Sequence, residues 1–273
     1  MLRNFPFFWV PLTLLMYSLG FSASALSQSR MTALVVGNAD YSNVGKLPNP
    51  VRDLILMQEI FKNADARVTS VRDTNVKIFY RELRNATQLF STDPSSVLIV
   101  YVAGHGVQIY GKNYLVPTDA KLWRTEADAL REGIDLSAMI DELASMNSGT
   151  LIFLFDICRN NPFEGELAGA GRGIAAMPVR KVRIKKAPIK TEARAGSQIK
   201  AQGHIYIMFS TQPGEVALDG PPESNSPFAA ALAKLLFTSE RPLPEKLLSV
   251  REQVQAVTGG VQVPWYDTNI GAP

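Results

Sequence analysis

A single cysteine, Cys158, is the sharpest shortage in this sequence; it has no partner within the chain, so no intrachain disulfide can form. Histidine is nearly as scarce, with only His105 and His204, and no cluster of His and Cys has the spacing of a zinc site. Neither sign of charge dominates. The 28 basic and 25 acidic residues leave a formal net charge of +3, too weak a field to argue for nucleic acid or a membrane surface as partner. Glycine-rich phosphate loops of the P-loop or dinucleotide type are missing, and no segment repeats. The longest apolar run near the start, Phe5 to Phe21, falls short of the ~20 residues that span a bilayer and is interrupted by Pro6 and Pro11.

That run follows Arg3 and precedes Ala23-Ser24-Ala25, the order of a positive region, an apolar region and a small-residue cleavage site. Residues 1–25 therefore read as a secretory signal peptide, with an uncleaved anchor as the alternative. No cysteine near the cleavage region offers a lipid attachment point. The mature chain is expected to be exported, periplasmic in a Gram-negative source or secreted, without stable membrane insertion. Export ordinarily invites disulfides, so an unpaired Cys158 is either an inert buried residue or a chemically available one, and its surroundings decide.

The 273-residue chain suits one α/β domain large enough to bury a real core. Thr32 to Gly37, residues 66–71, Ser96 to Ala103, Thr150 to Phe155 and His204 to Ser210 are short β-branched or apolar runs, the pattern of buried strands. Between them, helical spacing predicts helices over 51–63, after Pro48-Asn49-Pro50, over 75–90 and around Leu136, Met139, Ile140 and Leu143. A hairpin is expected over 107–117 around Tyr110-Gly111-Lys112. Ser226-Pro227 caps a helix over 228–238, and a last helix runs over 244–257 to Gly259-Gly260. Alternating strands and helices imply a mostly parallel sheet covered on both faces. Residues 164–202 differ in texture, rich in Arg and Lys with Glu192 the one acid among its basic cluster, and read as a flexible linker.

In a parallel sheet, functional groups gather beyond the carboxyl ends of the strands. His105 follows the most apolar strand and Cys158 follows the strand at 150–155, so neighbouring strands would bring imidazole and thiol together as a dyad. The imidazole can take the thiol proton and return it to a leaving amine. Gly106 leaves a backbone N–H that suits a developing oxyanion, with the Cys158 N–H as its partner.

Tyr101-Val102-Ala103-Gly104-His105-Gly106 resembles the histidine motif of caspase-like cysteine peptidases of the C14 family, and Asp156-Ile157-Cys158-Arg159-Asn160-Asn161-Pro162-Phe163 resembles their cysteine motif. Caspases carry the histidine about 50 residues upstream of a QAC-type signature; this sequence keeps the spacing but not the glutamine. The resemblance covers 32–163 and resumes at 204–237, where Val216 to Gly220 and Asn225 to Phe228 are similar to the small-subunit portion of bacterial members. It implies a caspase-like three-layer α/β/α sandwich with a mostly parallel central sheet, in which a large-subunit-like part (32–163), a basic linker (164–202) and a small-subunit-like part (203–273) form one domain over 26–273.

Asp156 departs from animal caspases and resembles metacaspases and bacterial orthocaspases, in which the acid two residues before the cysteine lines a P1 pocket selective for arginine or lysine. By the same resemblance Asp53 is a second pocket acid, with Pro50 and Ala103 lining the pocket. The structural alternative is that Asp53 and Asp156 merely cap or pair. The resemblance implies a cysteine endopeptidase acting on protein or peptide substrates after Arg or Lys, and the basic linker makes self-cleavage an expectation beside the plainer reading of a solvated charge run. The rival reading is a catalytically inactive caspase-fold binding module. Metacaspases are often calcium-activated, but no acidic loop here can be assigned to calcium, so no cofactor is assigned. Arg159 is expected either to add positive potential near the thiolate or to form an ordinary ion pair, His204 to be structural, and Tyr101 and Tyr114 to pack.

Overall fold

A computed structural model describes residues 30–90, 94–121, 123–146, 149–161 and 203–269. The expected signal peptide at 1–25 and the basic linker at 164–202 lie outside the described residues. In chain order the elements are β1 (Met31–Gly37), α1 (Pro50–Asn63), β2 (Arg67–Arg72), α2 (Val76–Leu89), β3 (Val97–Gly104), β4 (Gly106–Ile109), β5 (Lys112–Leu115), α3 (Glu126–Glu132), β6 (Ile134–Asp135), α4 (Leu136–Met146), β7 (Thr150–Ile157), β8 (Ile205–Phe209), α5 (Pro227–Leu235), α6 (Leu243–Val257) and β9 (Trp265–Thr268).

The main sheet has the order β2-β1-β3-β7-β8-β9. Its first five strands are parallel, and β9 closes the edge antiparallel to β8. Central strands of such a sheet are covered on both sides, which is why β1, β3 and β7 are continuous apolar runs rather than alternating ones. Side chains still alternate between faces. Leu34, Val36, Leu98, Val100, Val102, Phe153 and Phe155 meet Phe79 and Leu83 of α2 and Met139 and Leu143 of α4. Ala33, Val35, Ile99, Tyr101, Ile152 and Leu154 face Leu54, Met57 and Phe61 of α1, Phe228 and Leu232 of α5, and Leu247 and Val250 of α6. The result is the expected α/β/α sandwich.

Local signals set the element ends. Asn75 Oδ1 accepts from the Ile78 N–H at 2.8 Å and starts α2; Ser226 Oγ accepts from the Ala229 N–H at 2.9 Å, with Pro227 as the first helical residue of α5. The hairpin forms as expected. Tyr110 (φ 49°) and Gly111 (φ 77°) make the two-residue turn between β4 and β5, where the positive angles match the twist of the strands. β6 joins β5 to complete a second, three-stranded antiparallel sheet over a small core of Tyr41, Val107, Ile109, Tyr114, Val116 and Trp123.

Three elements go beyond the sequence reading. Helix α3 is only seven residues long, held by a capping box in which Thr125 and Asp128 satisfy each other's backbone. β6 is two residues long, and β9 is a four-residue edge strand after Pro264. Each is too short to show a period. Among the described residues no helix is long and apolar enough to cross a membrane.

Candidate active site

The register of β3 against β7 pairs Ala103 with Asp156 and Gly104 with Ile157. The next residues, His105 and Cys158, therefore leave two neighbouring strand ends at the same level. Their backbones are close: a Cβ added at Gly106 would lie 2.8 Å from the Cys158 carbonyl oxygen and 2.8 Å from Ile157 Cβ. Only a glycine permits that approach. The Val116 N–H donates to the His105 carbonyl at 3.0 Å and Gly106 stands opposite Leu115, so by antiparallel alternation the Gly106 N–H points away from β5.

Three groups fix the histidine. Its backbone N–H donates to the Tyr41 hydroxyl at 2.8 Å, and the Tyr41 ring packs against the imidazole with centroids 4.6 Å apart. Nε2 lies 2.6 Å from the Gly45 carbonyl oxygen. A carbonyl can only accept, so Nε2 carries the proton and Nδ1 of the neutral ring is left unprotonated. Burial pulls the His105 pKa down against the Gly45 bond, which raises it. The imidazole is thus held neutral and oriented by the Gly45 carbonyl. Gly104, at φ 155°, makes the bend possible, since a Cβ there would sit 2.7 Å from the Tyr41 oxygen.

Cys158 is half-buried, and its Sγ–H donates to the Ala217 carbonyl at 3.8 Å. Burial pushes its thiol up to about 11; the Ala217 bond opposes this and the nearby Asp156 and Asp219 charges add to it. At neutral pH the strand ends therefore carry a protonated thiol and a neutral imidazole with one unprotonated nitrogen.

The expected pocket acids gather on the α1 and α5 side of the sheet. Asp53, in the first turn of α1, accepts from Asn225 Nδ2 at 2.8 Å and the Ser226 N–H at 3.0 Å. Asp156 accepts from the Ser226 hydroxyl and, at 3.5 Å, from the Tyr101 hydroxyl. A third acid joins them. Asp219, on the segment between β8 and α5, accepts the Asn49 N–H at 3.3 Å. Burial raises all three carboxyls, Asp53 to about 8 and Asp156 and Asp219 to about 6, with the Asp156 charge adding to the rise of Asp53 and the Asp219 charge to that of Asp156. None of the ion pairs among the described residues involves these acids. Asp53 and Asp156 tie down the 225–226 turn, the structural role the sequence allowed, and the charges of Asp156 and Asp219 act on the nearby cysteine. Pro50 is buried at the first position of α1 against Gly37, and Ala103 is buried in β3 opposite Asp156.

Of the two roles expected for Arg159, the ordinary ion pair is not found among the described residues. The residue is 4% exposed. Its guanidinium lies 4.1 Å from the Phe209 ring centroid and 4.9 Å from that of Trp265, and Nε donates to Asn113 at 3.0 Å. Its backbone ties the cysteine loop to residues 214–215, donating to the Glu215 carbonyl at 2.9 Å and accepting from the Gly214 N–H at 3.0 Å. His204 is exposed at the start of β8. Tyr114 packs as expected, and Tyr101 packs while also reaching Asp156. Sequence reasoning missed Tyr41, Gly45 and Asn49, and it quoted Asp219 without a role. No group of three or more His, Cys, Asp or Glu residues that could hold a metal ion occurs among the described residues.

The fold is a mostly parallel α/β/α sandwich in which a histidine and a cysteine follow two adjacent strand ends. The match to known families is direct: the peptidase C14 caspase-domain model covers residues 30–271, and the chain belongs to that family. Human mucosa-associated lymphoid tissue lymphoma translocation protein 1 is 31% identical over 130 residues, 46% of this chain and 15% of that protein. Its mouse homologue is 30% identical over 130 residues, 46% of this chain and 14% of that protein. This chain thus matches only a small part of the length of either relative. Among solved structures, caspase-1 from Spodoptera frugiperda superposes with a TM-score of 0.60 at 15% identity, covering 88% of this chain and 86% of that one, a likeness of fold.

Proposed function

We propose that this chain is a cysteine endopeptidase that cleaves after arginine or lysine through Cys158 and His105. The observation that carries the reading is the β3–β7 register, which brings the histidine and cysteine loops together while Gly45 leaves His105 Nδ1 free as a base. Cys158 Sγ attacks the scissile carbonyl carbon as its proton passes to Nδ1. The N–H groups of Gly106 and Cys158 hold the oxyanion. Collapse breaks the C–N bond, the amine leaves with the proton from His105, and a thioester remains on the sulfur. Water then gives a proton to Nδ1 and attacks the thioester, releasing the carboxylate product and restoring the thiol.

Asp53 and Asp156 hold the cationic P1 group, with Asp219 as a third acid and Pro50 and Ala103 as apolar lining. Three buried carboxyls that repel one another without a cation gain most from receiving one, and a guanidinium can pair with them bidentately. The same preference makes the basic segment at 164–202 a substrate for self-processing. We place the mature chain outside the cytoplasm on the strength of residues 1–25.

A panel of fluorogenic peptides with Arg, Lys or Asp at P1, run with calcium and with chelator, tests this. Thiol-sensitive turnover on the Arg and Lys peptides that disappears in Cys158→Ala is the expected result. Preference for Asp would overturn the pocket assignment, and no turnover on any peptide would favour a binding module that keeps the fold.

A further inference from the structure

Asparagine is among the best residues for capping a helix, and Asn49 stands at the N-cap of α1, yet its side chain makes no capping bond. It reaches instead to the segment between β8 and α5. Nδ2 donates to the carbonyl of Asp219 at 2.7 Å and to that of Pro221 at 2.9 Å, while the backbone N–H donates to Asp219 Oδ2 at 3.3 Å. Two carbonyl acceptors fix the orientation of the amide, because an oxygen turned toward them would meet no donor. Oδ1 is left on the other side, buried and without a hydrogen-bond partner among the described residues. An open buried acceptor costs stability, so capping and self-satisfaction have both given way to holding Asp219.

The held segment is itself tight. Gly220 has φ 84°, and a Cβ there would come 2.8 Å from the Asn225 carbonyl oxygen. The Pro221 carbonyl also accepts from Ser224, from its N–H at 3.2 Å and its hydroxyl at 2.8 Å. With Asn225 and Ser226 bound to Asp53, the segment joins the third acid to the first.

We infer that Asn49 is a positioning residue for arginine selectivity, which it exerts by clasping Asp219 in place as the third wall of the acidic slot; the inference rests on reading that slot as the P1 site. An ammonium is a compact charge with three donors, whereas a guanidinium spreads five donors over a planar fork. Asp53 and Asp156 suffice for the first. The second needs a further acceptor at a set distance, so releasing Asp219 weakens arginine more than lysine.

The test compares the full chain with its Asn49→Ala variant on matched P1-Arg and P1-Lys peptides. The Arg-to-Lys ratio of kcat/KM should fall about five- to tenfold, the scale of one weakened charge-assisted hydrogen bond, with the change in KM for the arginine peptide. Asn49→Ser, which keeps a good N-cap residue but cannot bridge two carbonyls, should behave alike and serves if the alanine variant does not fold. In an Asp219→Asn background, substituting Asn49 should leave the ratio unchanged. Equal loss on both peptides, or a selectivity change that persists without the Asp219 charge, overturns the inference. If the unaltered chain cleaves neither peptide, the P1 reading fails and the inference with it; if it cleaves both and Asn49→Ala keeps the ratio, only the role of Asn49 fails.

Discussion

The substitution Asp53→Asn replaces one of the three clustered carboxyls with an amide that cannot ionise, while keeping an oxygen where Asn225 and Ser226 donate. Asp53 is 1% exposed, and its carboxyl is raised from the ordinary 3.8 to about 8 by burial first and by Asp156 next. Between those values the folded protein holds a proton that the unfolded chain has lost, so stability falls as pH rises. The contribution of the protonated carboxyl is fully present below about pH 4 and is gone above about pH 8. Taken whole, the displacement is worth roughly 6 kcal/mol at about 1.4 kcal/mol per pH unit. Asp156 and Asp219 stay and repel one another, so the share that Asp53→Asn alone returns is about 1 to 3 kcal/mol. For a domain of this size that is a rise in Tm of roughly 3 to 9 °C at pH 8.5. Thermal unfolding of both proteins from pH 4 to 9 checks it. The variant should match the parent near pH 4, gain on it steadily up to about pH 8 and keep the difference above that, while losing activity on P1-Arg peptides. A variant that is less stable at pH 8.5, or a difference that does not change with pH, refutes the reasoning.

Two further outcomes follow from the proposed dyad. Iodoacetamide should label Cys158 at a rate that keeps climbing with pH past 9, because burial holds its thiol near 11; a plateau near pH 7 would mean a preformed thiolate and a different mechanism. Gly106→Ala should lower kcat by about a hundredfold while Tm falls only a few degrees, since its Cβ would meet the Cys158 carbonyl oxygen at 2.8 Å and force the histidine and cysteine loops apart; unchanged kcat would show that the two loops do not need this contact.

The parts of this molecule that could be read from sequence are those whose signal is carried by their own residues. Runs such as Ser96 to Ala103 and Thr150 to Phe155 announce central strands because both faces of such strands are buried. His105 and Cys158 could be located because each follows such a run. Gly45 contributes only a carbonyl, and any residue has one, so nothing in the sequence marks it as the partner of Nε2. Asn49 reads as a helix cap, and only the return of residues 219–221 diverts it. Asp219 sat in a noticed motif, but which acids come near one another depends on where a segment far along the chain comes back. β9 was invisible because Trp265 to Thr268 pairs on one edge only and is too short for a period.

Arg159 shows the same limit from the side of charge, and its energetics can be argued through. The residue after the nucleophile is a buried cation resting on Phe209 and Trp265, with Nη1 unbonded among the described residues. Burial alone drags its pKa down to about 10, where an ion pair would have raised it. A buried charge without an opposite charge is poorly compensated even over aromatic rings, so an apolar side chain of similar length should serve stability as well or better. Arg159→Met is therefore expected to unfold at the same temperature or up to several degrees higher. Asn113 keeps the Gln108 Nε2 donor at 3.0 Å after the change, and the links to Gly214 and Glu215 are main-chain bonds that the side chain does not make. Calorimetry at pH 7 decides: a Tm lower by ten degrees would mean that the guanidinium is compensated, and the reading of Arg159 as an isolated cation would be wrong. If the methionine variant is the more stable, the residue after Cys158 is a cation that costs stability where it stands. Keeping such a cation near buried acids whose pKa values burial has raised is what a site shaped by chemistry, rather than by stability, is expected to do.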